Sequence, residues 1–65
     1  MNKSAKEYKS KVLECLMSKY KLTFNQAYNI VSDSFLENSL INYPEETVHD
    51  DIELTADKIF NDSIK

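Results

Sequence analysis

The sequence contains no glycine, no arginine and no tryptophan, and it carries one cysteine, one histidine and one proline among 65 residues. Each absence excludes something. Without glycine the favoured two-residue hairpin turns, Asn-Gly and Asp-Gly, are missing, as are the glycine-rich loops that cradle phosphates in nucleotide-binding proteins. Without arginine there is no planar fork to read guanine or clamp a phosphate in bidentate fashion. Cys15 has no second cysteine to pair with, which fits a reducing compartment and excludes a small secreted scaffold stapled by disulfides. No run of eighteen apolar residues is available to span a membrane, and the first fifteen positions hold four lysines and two glutamates where a signal peptide would carry its apolar stretch. The expected location is the cytoplasm.

What is present describes a folded chain. An apolar fraction of 42% with seven aromatic residues is far above the composition of a disordered tail. Sixty-five residues make a single domain, 1–65, near the lower limit at which one hydrophobic core holds a fold without a staple or a partner. Phe, Tyr, Met, Ile, Asn and Lys supply 28 residues while Gly, Ala, Arg and Pro supply four. That bias follows AT-rich codons and points to a low-GC bacterium, its phage or a mobile element. Charge is segregated: residues 1–21 hold six Lys against Glu7 and Glu14, whereas residues 22–65 hold two Lys against nine acids. Either a basic first helix lies near an acidic last helix within one fold, or the bipolar surface serves head-to-tail association or partner choice.

Three segments open with a cap residue followed three positions later by Glu or Gln, the pattern in which two free backbone donors at a helix start are satisfied reciprocally. These are Ser4 with Glu7, Thr23 with Gln26, and Asp50 with Glu53. At 100° per residue Ala5, Tyr8, Val12, Leu16 and Tyr20 share one stripe; Phe24, Ala27, Tyr28, Ile30, Val31, Phe35 and Ile41 share another; Ile52, Ala56, Ile59 and Phe60 a third. The fold class is therefore all-α, a small three-helix bundle with helices near 5–20, 24–41 and 51–63. Its expected core is Tyr8, Val12, Leu16, Tyr20, Ala27, Ile30, Val31, Phe35, Ile52, Ala56, Ile59 and Phe60. Lacking glycine, the chain must end its helices on Lys, Asn or Tyr. Asn42 is the expected stop of the second helix, and Pro44 forbids its continuation and can start a single turn over Glu45–Val48.

Leu36 and Leu40 fall on the side of the second helix opposite Ala27 and Val31, and Leu54 is a similar outlier on the third. Two explanations stand. The leucines seal a seam between helices, whether along one helix or after a break near Glu37–Ser39 that resets its phase, or they form an apolar patch that docks a second copy or a partner protein. Leu36, Leu40 and Leu54 are accordingly the candidate protein-interaction residues.

The inventory for chemistry is short. A Cys15–His49 nucleophile pair would need a lowered thiol pKa and free backbone donors, and Cys15 sits mid-helix where those donors are used. Glu45, Glu46, His49, Asp50, Asp51 and Glu53 mix imidazole and carboxylates in the manner of a divalent-metal site, yet capping and helix-dipole roles account for the acids. No catalytic residue, metal, cofactor or small-molecule substrate is expected. The residues thus describe a non-catalytic module whose partner is another protein or a second copy of itself. The alternative is a helix–turn–helix-like nucleic-acid-binding regulator that uses the Lys-rich first helix, with Lys6, Lys9 and Lys11 as contacts; a pI near 4.9 and the absence of arginine weigh against it.

Overall fold

Eighteen residues without a helix breaker, with apolar side chains three and four apart, form the first helix of the computed structural model, which describes residues 3–64. This helix, α1 (Lys3–Tyr20), buries Ala5, Tyr8, Val12, Leu13 and Leu16, and every other element packs against it. The order continues with α2 (Phe24–Ser32), α3 (Phe35–Asn42), the single turn α4 (Pro44–Thr47) and α5 (Ile52–Ser63). The chain is all-α, and no strand occurs among the described residues. Among the described residues four helices and a single turn thus stand where three helices and a turn after Pro44 were expected.

The difference lies in the middle segment. Residues 24–41 do not form one helix: α2 stops at Ser32 and α3 begins at Phe35, so the break falls at Asp33–Ser34 rather than at Glu37–Ser39. Ser34 is the cause. Its hydroxyl donates to the Val31 carbonyl at 2.6 Å and accepts from the Leu36 backbone N–H at 3.2 Å, closing one helix and opening the next. Ser34 and Glu37 stand at cap and N3 spacing, a helix-start signal in the middle of the periodic stretch. The break resets the helical phase, which turns Leu36 and Leu40 inward.

Other boundaries follow from local chemistry. Thr23 caps α2 in a full capping box with Gln26. Asp51, not Asp50, caps α5 by accepting from the Leu54 backbone N–H at 3.1 Å. Helix α1 already includes Ser4, so Ser4 is a first-turn residue, and any cap before Lys3 lies outside the described residues. Asn42 ends α3, and Pro44 opens α4 from the first helical position, where its missing N–H costs nothing. Lys21 follows α1 at φ 55°, a left-handed conformation that glycine would adopt without strain.

The core comprises Ala5, Tyr8, Val12, Leu13, Leu16, Ala27, Val31, Leu36, Leu40, Ala56 and Ile59. Expected members Tyr20, Ile30, Ile52 and Phe60 pack against it half-buried. Phe35 is not in the core: as the first residue of α3 it points outward and is 45% exposed. Burying a leucine, isoleucine or valine fully contributes about 1.5–3 kcal/mol, and six such side chains, Leu16, Leu36, Leu40, Ile59, Val12 and Val31, are essentially inaccessible.

Candidate functional site

Helix α1 is fastened to α5 at both ends through tyrosines. Near its start, Tyr8 is buried; its phenol O–H donates to the Asp50 carbonyl at 3.0 Å and its oxygen pairs with Thr55 Oγ1 at 2.8 Å. Burial holds the Tyr8 pKa above its ordinary value, and the Thr55 hydroxyl works in the opposite direction. Near its end, Tyr20 stacks on Phe60 with ring centroids 3.8 Å apart and donates its O–H to the Asp57 carboxylate. Lys19 joins the same carboxylate at 2.9 Å and Glu53 at 3.0 Å. The Lys19 ammonium and then the Tyr20 hydroxyl lower the Asp57 pKa, while Asp57 raises that of Tyr20 and, with Glu53, that of Lys19.

These contacts absorb much of the charge segregation. Lys19 meets the acids of α5, and Lys9 meets Glu37 of α3 at 2.6 Å. The three lysines Lys6, Lys9 and Lys11 therefore stand in different surroundings. Lys9 is turned to Glu37 and lies over the Tyr28 ring, 5.4 Å from its centroid, whereas Lys6 and Lys11 line an outer groove of α1 together with Glu7, Ser10 and Glu14.

The polar cluster around His49 is likewise dispersed. The Asp50 carbonyl serves Tyr8, Asp51 caps α5 and Glu53 serves Lys19. No group of three or more His, Cys, Asp or Glu side chains converges on a metal-sized site among the described residues. The half-buried Cys15 thiol has its pKa raised, first by desolvation and then by the Glu53 carboxylate, which disfavours the nucleophilic thiolate. No helix among the described residues is long and apolar enough to cross a membrane.

Of the three candidate interaction leucines, Leu36 and Leu40 are buried, with exposures of 0% and 1%, so they offer no surface in this arrangement. They line the seam that α3 makes with its neighbours. Leu54 is 61% exposed and stands on the outer face of α5.

A different apolar surface emerges on α2 and α3. Phe24 and Tyr28, one turn apart, stack with centroids separated by 5.8 Å and are both exposed. Glu37 reaches the same place through Lys9, and Ile41, one turn beyond Glu37 on α3, is exposed as well. Periodicity groups Phe24, Tyr28 and Ile41 with Ala27 and Val31 on one broad face of a single helix; the break at Asp33–Ser34 resets the phase and leaves Ile41 outside, whereas Phe24 and Tyr28, on the same helix as the buried Ala27 and Val31, stand at the exposed edge of that face. The Ser34–Glu37 spacing was the signal that could have found it.

Comparison with protein-family models, with curated proteins and with solved structures finds no match for this chain.

Proposed function

We propose that this chain is a non-catalytic protein-interaction module, a single domain whose bent α2–α3 arm packs with α1 and α5 as a three-armed bundle. Its docking face is built from Phe24, Tyr28 and Ile41. The observation that carries this reading is the exposed, stacked Phe24–Tyr28 pair with a cation over one ring. Exposed aromatics held rigidly by a helix lose little entropy on binding and are the side chains most often found as interface anchors. Cytoplasmic residence and an origin in a low-GC bacterium or a mobile element complete the reading, supported by the single free cysteine and the AT-rich composition.

Placing a photo-crosslinking phenylalanine analogue at position 28, in the cells the protein comes from, tests it. Protein adducts at position 28 and none at the exposed Lys58 on α5 are expected. The absence of any adduct at position 28 would overturn the reading.

Nucleic-acid binding is the second reading, favoured by one observation: α2 and α3 form a pair of short helices joined by a tight turn, in a chain whose Lys3, Lys6, Lys11 and Lys21 make no ion pair among the described residues. Electrostatics rank it lower. Helix α3, the element that would enter a groove, contains a glutamate and no cation. Duplex DNA is expected not to bind at physiological salt; a ribonuclease- or deoxyribonuclease-sensitive adduct at position 28 would reverse the ranking.

A further inference from the structure

The joint between α2 and α3 turns on one torsion. Asp33 already lies in the right-handed helical region at φ −86°, ψ −2°, and its N–H bonds the Asn29 carbonyl four residues back, as in a helix. Ser34 alone leaves that region, at φ −92° and ψ 171° against about −42° for a helical ψ. Rotation about this bond would join α2 and α3 into one helix, and no glycine or proline between residues 24 and 42 opposes it. What is lost is the pair of hydrogen bonds that the Ser34 hydroxyl makes with the Val31 carbonyl and the Leu36 N–H.

The straight helix would have two apolar sides. At 100° per residue Ala27 and Val31 centre on one side, and Leu36 and Leu40 centre on the other, half a turn away. In the bent chain all four are buried, because the joint turns α3 back onto the chain's own α1. A straightened chain on its own would cover Ala27 and Val31 with α1 and leave Leu36 and Leu40 bare. A second copy opened in the same way supplies the missing surface, since its own α3 has left the place on α1 where Leu36 and Leu40 pack.

We propose that the α2–α3 joint is a hinge through which two copies exchange their α3–α5 segments, each passing α3, α4 and α5 to the α1–α2 arm of the other. Every seam is then rebuilt from the same residues, now between copies: the buried Leu36 and Leu40, Lys9 with Glu37, Tyr8 with Thr55, and Lys19 and Tyr20 with Asp57. Only the joint differs between the closed chain and the exchanged pair, so the two forms lie close in energy, the situation in which a short hinge leads to exchange. The exchange makes no use of the Phe24–Tyr28 face and stands or falls apart from the docking reading. A closed chain holds its own segment at an effective concentration on the order of millimolar, so the exchanged pair forms in concentrated and not in dilute solution. Passage between the forms opens the buried seam, which makes it slow in the cold and fast near the melting midpoint.

The full chain at about 1 mM, cooled from its melting midpoint and resolved in the cold by size exclusion with mass detection, tests the exchange. A species of twice 7.6 kDa is expected, which persists on dilution in the cold and returns to monomer on warming. Phe35→Pro decides whether the joint is responsible. Proline suits the first position of α3, and the extended Ser34 before it is the conformation proline favours in its neighbour, but proline is not accommodated inside a straight helix. This variant should therefore fold and stay monomeric. Ser34→Ala removes both cap bonds from the bent form and should lower the concentration at which the pair forms by about tenfold or more. A parent that gives no dimer after this treatment overturns the proposal, as does a Phe35→Pro chain that dimerises like the parent.

Charge reports which segments are exchanged, even where the proline variant does not fold. Lys19→Glu and Asp57→Lys each set like charges against one another within a closed chain. In an exchanged pair of one such chain with the other, both lobes carry opposite charges at positions 19 and 57. An equimolar mixture, one chain isotope-labelled, taken through the same treatment at low salt should give mixed dimers well beyond the statistical half in native mass spectrometry. A mixture that stays at the statistical half describes closed chains pairing face to face, and overturns the exchange.

Discussion

The two sides of α1 are closed in different ways. Toward α5 the seam ends in matched polar groups, Tyr8 with Thr55 and the Asp50 carbonyl at one end and Tyr20 with Asp57 at the other, so its polar atoms are satisfied within the chain. Toward α2 and α3 a broken helix turns Leu36 and Leu40 inward and leaves Phe24, Tyr28 and Ile41 outside. One seam has its polar groups matched; the other side exposes two stacked aromatic rings beside one ion pair. The contrast puts buried, matched contacts on the α5 side and in the α3 seam, and the proposed docking face on the α2–α3 exterior.

The largest effect that can break this contrast is in the α3 seam. Leu36→Ala and Leu40→Ala each remove a fully buried side chain and should cost about 2–5 kcal/mol, read as a lower denaturation midpoint at every protein concentration. Substitutions of the exposed Phe24 or Tyr28 should change monomer stability by no more than about 0.5 kcal/mol. Equal losses at both places would erase the distinction. Next in size is Tyr8→Phe on the α5 side, which leaves the buried Thr55 hydroxyl and the Asp50 carbonyl without their partner and should cost about 1–2 kcal/mol in urea unfolding.

How much of this was legible from residues alone follows from what each signal encodes. The extents of α1 and α5 are readable within two residues because an unbroken apolar stripe runs through each, although Ser4 lies inside α1 and Asp51, not Asp50, caps α5. Periodicity hides the α2–α3 break, because the apolar period runs through it and only the Ser34–Glu37 spacing marks it. A phase reset exchanges inside for outside, so beyond the break Phe35 and Ile41 lie outside while Leu36 and Leu40 lie inside. The partners of Lys9 and Lys19 lie 28 and 34–38 residues away in sequence, a tertiary pairing that no local pattern encodes.

A smaller effect tests how the chain manages without glycine. Lys21 holds φ 55°, a conformation that crowds its Cβ against the backbone. Lys21→Gly should raise stability by about 0.5–1 kcal/mol, seen as a higher melting temperature, because the relieved strain exceeds the entropy that glycine loses on folding. A lower melting temperature would mean that the Lys21 side chain stabilises the turn in another way.

The smallest effect sharpens the α5 side, where Asp57 binds Lys19 and Tyr20 in reach of solvent. The Asp57 pKa is lowered in the fold, so the stability it contributes is present above the unfolded carboxylate value of about 3.9 and is lost as pH falls through the lower folded value. The Lys19 and Tyr20 pKa values are raised, so their contribution is present below the unfolded values of 10.5 and 10.0 and is lost as pH climbs through the folded ones. Comparing the parent with Asp57→Asn should therefore give a melting-temperature gap that is widest between about pH 5 and pH 9 and narrows toward both extremes. Added salt should shrink the gap at neutral pH, since the groups are open to counterions. Tyr8, whose partners are the Thr55 hydroxyl on α5 and the Asp50 carbonyl just before it, supplies the internal control: the Tyr8→Phe gap should hold steady on the acid side and ignore salt. If that gap instead follows the salt dependence of Asp57→Asn, the two ends of the α1–α5 seam are held by the same forces after all.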